Sequence, residues 1–141
     1  MLVTHLPSDI DIEPAQAQEA AMIDELWRRC GERIRFDVPP AGQVVARDRG
    51  SGRVIGVAEY FRTFPPEDVL ASVCVEEPYR RQGVGARLLS TLSKLARGDG
   101  RRQLCGFIAG TNLAALRLLR SSGRDVHLHA DGDGFFAELS C

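Results

Sequence analysis

Arg80, Gly83 and Gly85 stand in the run Glu76-Glu77-Pro78-Tyr79-Arg80-Arg81-Gln82-Gly83-Val84-Gly85-Ala86-Arg87, and their types and spacing suit the capture of an anion. Glycine lets a backbone adopt positive φ and come close to a ligand. A helix opening at Val84 would leave its first N–H groups without acceptors, and its partial positive charge would lie at the same end. Phosphate is the usual guest of such an end. An ordinary strand-to-helix connection is the plain alternative. A Walker-type loop is excluded because no Gly-Lys-Ser/Thr follows. A dinucleotide fingerprint would need a third glycine where Leu88 stands, and an acidic residue at the tip of the next strand.

The pattern Arg80-x-x-Gly83-x-Gly85 resembles the pyrophosphate-binding motif of the GNAT superfamily of acyl-CoA-dependent N-acyltransferases. Downstream, Thr111-Asn112-Leu113-Ala114-Ala115 through Ser122-Gly123 is similar to that family's Asn-x-x-Ala…Gly helix. The likeness runs over roughly residues 43 to 139, and is nearest to the acetyltransferase domains of bacterial protein lysine acetyltransferases. It implies acetyl-CoA, or another acyl-CoA, as co-substrate and no metal. It further implies that strands 69–75 and 103–109 splay around the pantetheine arm, whose partners would be the backbones of Cys74 and Val75. The N–H groups of Arg81, Gln82, Gly83, Val84, Gly85 and Ala86 would hold the pyrophosphate, aided by Arg80 and Arg87. Asn112 would cap its helix near the cofactor, although a plain cap explains it equally well.

Acyl transfer to nitrogen requires a neutral amine. For a lysine of pKa about 10.4, uncovering the lone pair at pH 7 costs about 4.6 kcal/mol. The family's usual glutamate base falls at Leu70 here, and its tyrosine acid, seven residues past the motif asparagine, falls at Leu119. Glu59 is the substitute base: it shares a period-2 face with Ile55, Val57 and Phe61, and a carboxylate on an apolar face suits proton transfer. A rim charge paired with an arginine is its plain reading. His127 and His129 share one strand face on the presumed acceptor side, and exposed strand histidines explain them as well. Three functions fit. One is an N-acyltransferase using direct amine attack on the thioester, with a protein lysine, a peptide N-terminus or a small amine as acceptor. Another is a module that binds acyl-CoA without turnover. The plainest is a partner-binding domain that uses its exposed sheet.

These residues need a scaffold. The chain has 141 residues, 44% hydrophobic and 26% charged, with a formal charge of −1. That describes one domain of an ordinary globule and no electrostatic footprint for nucleic acid or membrane. No apolar run has transmembrane length, and Asp9, Asp11 and Glu13 stand where a signal peptide needs an apolar core, so a cytoplasmic protein is expected. Cys30, Cys74, Cys105 and Cys141 show no metal or disulfide spacing.

The spacing predicts a helix opened by Pro14, with Met22, Ile23, Leu26, Trp27 and Cys30 as its apolar stripe. An irregular connection, with room for a short second helix, follows over 31–42. A hairpin is expected from 43–47 and 53–62, then strand 69–75, helix 84–97, strand 103–109 and helix 112–121. A second hairpin over 126–129 and 135–139 closes the chain, with its strands available for a homodimer. The order means an α+β fold, a mixed central sheet of about seven strands with helices on both faces, which is also the fold the resemblance implies.

Overall fold

The computed structural model describes residues 9–30, 39–62 and 68–141. Its elements are β1 (Ile10–Pro14), α1 (Ala20–Cys30), β2 (Gly42–Asp48), β3 (Val54–Arg62), β4 (Asp68–Val75), α2 (Val84–Gly98), β5 (Gln103–Ala109), α3 (Leu113–Ser121), β6 (Val126–Asp131) and β7 (Gly134–Ser140). The strands form one mixed sheet of seven in the order β1-β2-β3-β4-β5-β7-β6. The β4–β5 pair is the parallel one, joined through α2; the other pairs are antiparallel.

Alternation decides which side chain faces which layer. Ile10, Val44, Ala58, Val69, Leu104 and Leu139 point to one face, where Val84, Leu88, Leu92 and Ala96 of α2 cover them. Val45, Val57 and Cys74 point to the other, under Ile23, Leu26 and Trp27 of α1. Fully burying such a side chain contributes roughly 1.5–3 kcal/mol. Helices therefore lie on both faces of the sheet, as expected.

Two expectations change. Pro14 does not open a helix. It is the last residue of β1, paired with Val44, and α1 begins at Ala20 after a short 3-10 turn over Ala17–Glu19. The physical reason is the Ile10-Asp11-Ile12-Glu13 alternation, which buries Ile10 completely on an edge strand that tolerates proline. Secondly, Ile55 leaves the face it was expected to share with Val57 and Glu59. Arg47 pairs with Val54 and Ala46 with Gly56, so Ile55 is the extra residue of a bulge and turns into the α2 layer. Residues 31–38 of the expected irregular connection lie outside the described residues. Among the described residues no helix is long and apolar enough to cross a membrane.

Candidate functional site

β4 and β5 pair over three positions only: Asp68 with Gln103, Val69 with Leu104, and Leu70 with Cys105. Beyond these, β4 stays on β3 up to Val75 and β5 stays on β7 up to Ala109, so the sheet splits open between them. The register decides which backbone groups line the split. The Glu76 N–H donates to the Ile55 carbonyl at 2.8 Å, which makes opposed pairs at even β4 positions hydrogen-bonded to β3. Ser72 and Cys74 therefore turn their N–H and C=O toward β3. Consistently, the Cys74 carbonyl oxygen lies 3.4 Å from where a Gly56 β-carbon would stand, and the Ala71 oxygen lies 3.4 Å from that of Gly106 on β5. Val73 and Val75 face the split. Cys74, whose backbone was expected to line the split, turns it to β3 instead, and Val73 is the residue that faces the split, which side-chain alternation alone could not single out.

Below the split the chain makes a 3-10 turn over Glu77–Tyr79 with Pro78 in its first turn. Tyr79 is buried and its hydroxyl donates to Asp48 Oδ2 at 2.8 Å, which pins the turn to the end of β2. Two left-handed residues then reverse the chain: Arg81 at φ 63° and Gly83 at φ 80°. Gly83 is the N-cap of α2, and no side chain caps that helix end. The Arg80 N–H is bonded to Glu77 and that of Arg87 to Gly83. Between them, the N–H groups of Arg81, Gln82, Gly83, Val84, Gly85 and Ala86 have no protein acceptor among the described residues. A β-carbon built on Gly83 would meet nothing within 4 Å, so the space beside the loop is open. Orphan donors and a helix N-terminus at the foot of a split sheet fit an anion attached to an extended chain.

The arginines separate by position. Arg80 folds back, its Nε donating to the Val75 carbonyl at 2.7 Å and its Nη2 to the Cys30 carbonyl at 3.4 Å. Arg87 Nη2 donates to the Ile10 carbonyl at 2.9 Å, tying α2 to β1. Arg81 is exposed, and its side chain makes no hydrogen bond or ion pair among the described residues. Gln82 Nε2 reaches the Pro78 carbonyl at 3.2 Å. Gly85 has a packing reason of its own, since a β-carbon there would sit 3.3 Å from Leu118 Cδ1 on α3. Asn112 is the N-cap of α3 and accepts the Ala115 N–H at 3.1 Å.

On the α1 face a polar row crosses three strands at one level, because Gln43 pairs with Glu59 and Glu59 with Ser72. Glu59 is fully buried, and Gln43 Nε2 donates to its Oε2 at 2.8 Å. The Ser72 Oγ is out of contact with solvent and has no hydrogen-bond partner among the described residues. Gln43 and Ser72 are functional candidates that sequence reasoning missed; polar residues at inward-facing strand positions were the signal. Across the split, the same face carries Phe107, 60% exposed, with Phe136 and His129 in register beside it. His129 Nε2 lies 2.5 Å from Glu138 Oε1. Along β4 from Ser72, Cys74 meets Cys30 from the end of α1. Burial, and after it the neighbouring Cys30 thiol, pushes the Cys74 thiol up to about 12. Among the described residues no group of three or more His, Cys, Asp or Glu side chains could hold a metal ion.

The Acetyltransferase (GNAT) family model matches residues 9–123. No curated protein sequence matches the chain. Among solved structures, the chain is similar to the GNAT domain of S. lividans PAT, with TM-score 0.74 and 14% identity over 92% of this chain and 89% of that one. It is also similar to yncA, a putative acetyltransferase from Salmonella typhimurium solved with acetyl-CoA, with TM-score 0.70 and 22% identity over 94% and 92% of the two chains. Diaminobutyrate acetyltransferase EctA from Paenibacillus lautus, solved with L-2,4-diaminobutyric acid and coenzyme A, superposes with TM-score 0.68 and 19% identity over 93% and 94%.

Proposed function

Because the chain belongs to the acetyltransferase (GNAT) family, we propose that it is an N-acyltransferase carrying an acetyl or other short acyl group from acyl-CoA to an amine. One observation carries the reading: the unbonded N–H groups of residues 81–86 stand at the foot of the β4–β5 split, within one strand length of Val73 and Val75, whose backbone faces the split with the Val75 carbonyl held by Arg80. A diphosphate on the loop would gain several contacts, each worth roughly 0.3–1 kcal/mol from the helix dipole. The attached amide-bearing arm would complete the ladder that β4 and β5 leave open. Arg81 is the cation placed to add charge, and Arg80 and Arg87 hold the loop's ends. Structures similar to this chain were solved with acetyl-CoA or coenzyme A, which supports that co-substrate.

Transfer proceeds by attack of the neutral amine on the thioester carbonyl, with the enzyme contributing position and a β4 backbone N–H for the oxyanion. Glu59 is the proton acceptor. The acceptor is a protein lysine, an N-terminus or a small amine; the enzyme works in the cytoplasm without a metal, and the open β6 edge is where two copies would pair. Acyl-CoA binding without turnover is the second reading, favoured by the apolar Leu70 and Leu119 at the family's usual base and acid positions. Calorimetric titration with CoA and acetyl-CoA, followed by mass spectra of an amine panel, separates the two. Binding with acylated product supports transfer, binding without product supports the module, and no binding removes both.

A further inference from the structure

Glu59 has no exposed surface, so a proton must reach it through another group. Building on the transfer reading, we propose that Ser72 is a catalytic hydroxyl that takes the acceptor's amine proton and hands its own to Glu59.

Four observations converge on Ser72. It is the β4 residue directly opposite Glu59, on the same sheet face. Opposed Cβ atoms in an antiparallel pair stand roughly 5 Å apart, so a rotamer change or one water joins hydroxyl to carboxylate. Its Oγ is buried without a partner among the described residues, whereas buried hydroxyls are ordinarily bonded; an acceptor nitrogen would supply the missing bond. Its neighbours Ala71 and Val73 line the split, just past the last β4–β5 pair at Leu70 and Cys105. Finally, Gln43 anchors one oxygen of Glu59, which fixes the carboxylate in the row.

The step balances as follows. A neutral amine attacks the thioester carbonyl, a C–N bond forms and the C–S bond breaks. The nitrogen's proton goes to Ser72 Oγ while the hydroxyl proton goes to Glu59. The CoA thiolate departs and takes a proton from solvent, and Glu59 returns its own to solvent through the Ser72 hydroxyl once the product has left.

The test compares wild type with Ser72→Ala, Ser72→Thr, Ser72→Val, Glu59→Gln and the Ser72→Ala/Glu59→Gln double variant. Each is assayed with acetyl-CoA and the best amine of the panel, and titrated calorimetrically with CoA. Loss of a proton-transfer group predicts kcat about 100-fold lower in Ser72→Ala. KM for acetyl-CoA and Kd for CoA should stay within about twofold, because the hydroxyl acts in the chemical step alone. Thr should retain most of the rate and the isosteric Val should not, a contrast that also decides the matter if the Ala variant fails to fold. The double variant should be no slower than the slower single one, since both groups serve one path. A Ser72→Ala or Ser72→Val enzyme with kcat within about threefold of wild type overturns the role of Ser72, as do losses that multiply in the double variant. Wild type that binds CoA yet acylates no amine sinks the transfer reading, and this inference with it.

Discussion

Arg80 closes over the end of β4, its Nε donating to the Val75 carbonyl oxygen at 2.7 Å. The cation is therefore engaged with the strand, whereas Arg81 beside it points to solvent. Removing Arg81 should weaken CoA binding about tenfold, the equivalent of one lost charge-assisted bond of ~1.4 kcal/mol. Removing Arg80 should cost less than about threefold. Calorimetric Kd values for Arg80→Ala and Arg81→Ala check the order, and the reverse ranking would show that Arg80 swings onto the phosphates.

Gly83 and Gly85 should respond differently to substitution. At φ 80° a β-branched residue is strained, so Gly83→Val should destabilise by about 1–3 kcal/mol even though open space surrounds the position. Gly85→Ala meets Leu118 on α3 and should loosen the α2–α3 contact by about 1 kcal/mol. Thermal melts read both effects, with ~3 °C expected per kcal/mol in a chain of this size. CoA affinity per folded molecule should fall mainly in Gly83→Val.

Glu19 gives a pH signature. It is 3% exposed, and both its oxygens accept from Arg47, at 2.6 Å each. The Arg47 hydrogen bond, with the Gln16 N–H behind it, lowers its carboxyl below the ordinary 4.5. A carboxyl depressed on folding contributes stability that is fully present above its unfolded value and is lost as pH falls through the folded one. Stability should accordingly decline as pH drops below about 4.5. Glu19→Gln should flatten that part of the curve and cost about 2–3 kcal/mol at pH 7, because it leaves Arg47 partly unpaired. Denaturant titrations between pH 3 and 7 test this; an unchanged slope in the variant would remove Glu19 as the cause.

Cys74 should resist alkylation. With its thiol pushed up to about 12, almost no thiolate exists at pH 8. Iodoacetamide should leave Cys74 unlabelled in the native protein and label it after denaturation, as read by peptide mass spectrometry. Native labelling at the denatured rate would contradict its burial.

Gly42 faces the ring of Tyr60, and a β-carbon at position 42 would lie 2.2 Å from its Cε1. The Tyr60 hydroxyl donates to Asp99 at 2.5 Å, so the ring cannot move aside freely. Gly42→Ala should therefore destabilise by about 2–3 kcal/mol, and pairing it with Tyr60→Leu should recover part of the loss. Additive losses in the double variant would sink this account.

The elements around the split were legible because their signals are local. Val69, Ala71, Val73 and Val75 alternate, Leu88, Leu92 and Leu95 recur at helical spacing, and Asp48 to Gly52 or Asp131 to Gly134 can only turn. β1 was hidden because five residues ending in proline look like a helix start until an edge strand is there to pair with them. The bulge at Ile55 was hidden because it depends on how β2 meets β3.

What residue types and spacing determined by themselves is the run of donors: glycine at a left-handed position, a helix beginning at Val84, and no side chain to cap it. Backbone chemistry of that kind is local and survives any packing. Which arginine stays free, whether Cys74 or Val73 turns its backbone to the split, and that Glu59 lies buried opposite Ser72 were decided only by tertiary structure. Each depends on the register between strands distant in sequence, and a strand's own alternation says nothing about which neighbour its N–H and C=O will meet.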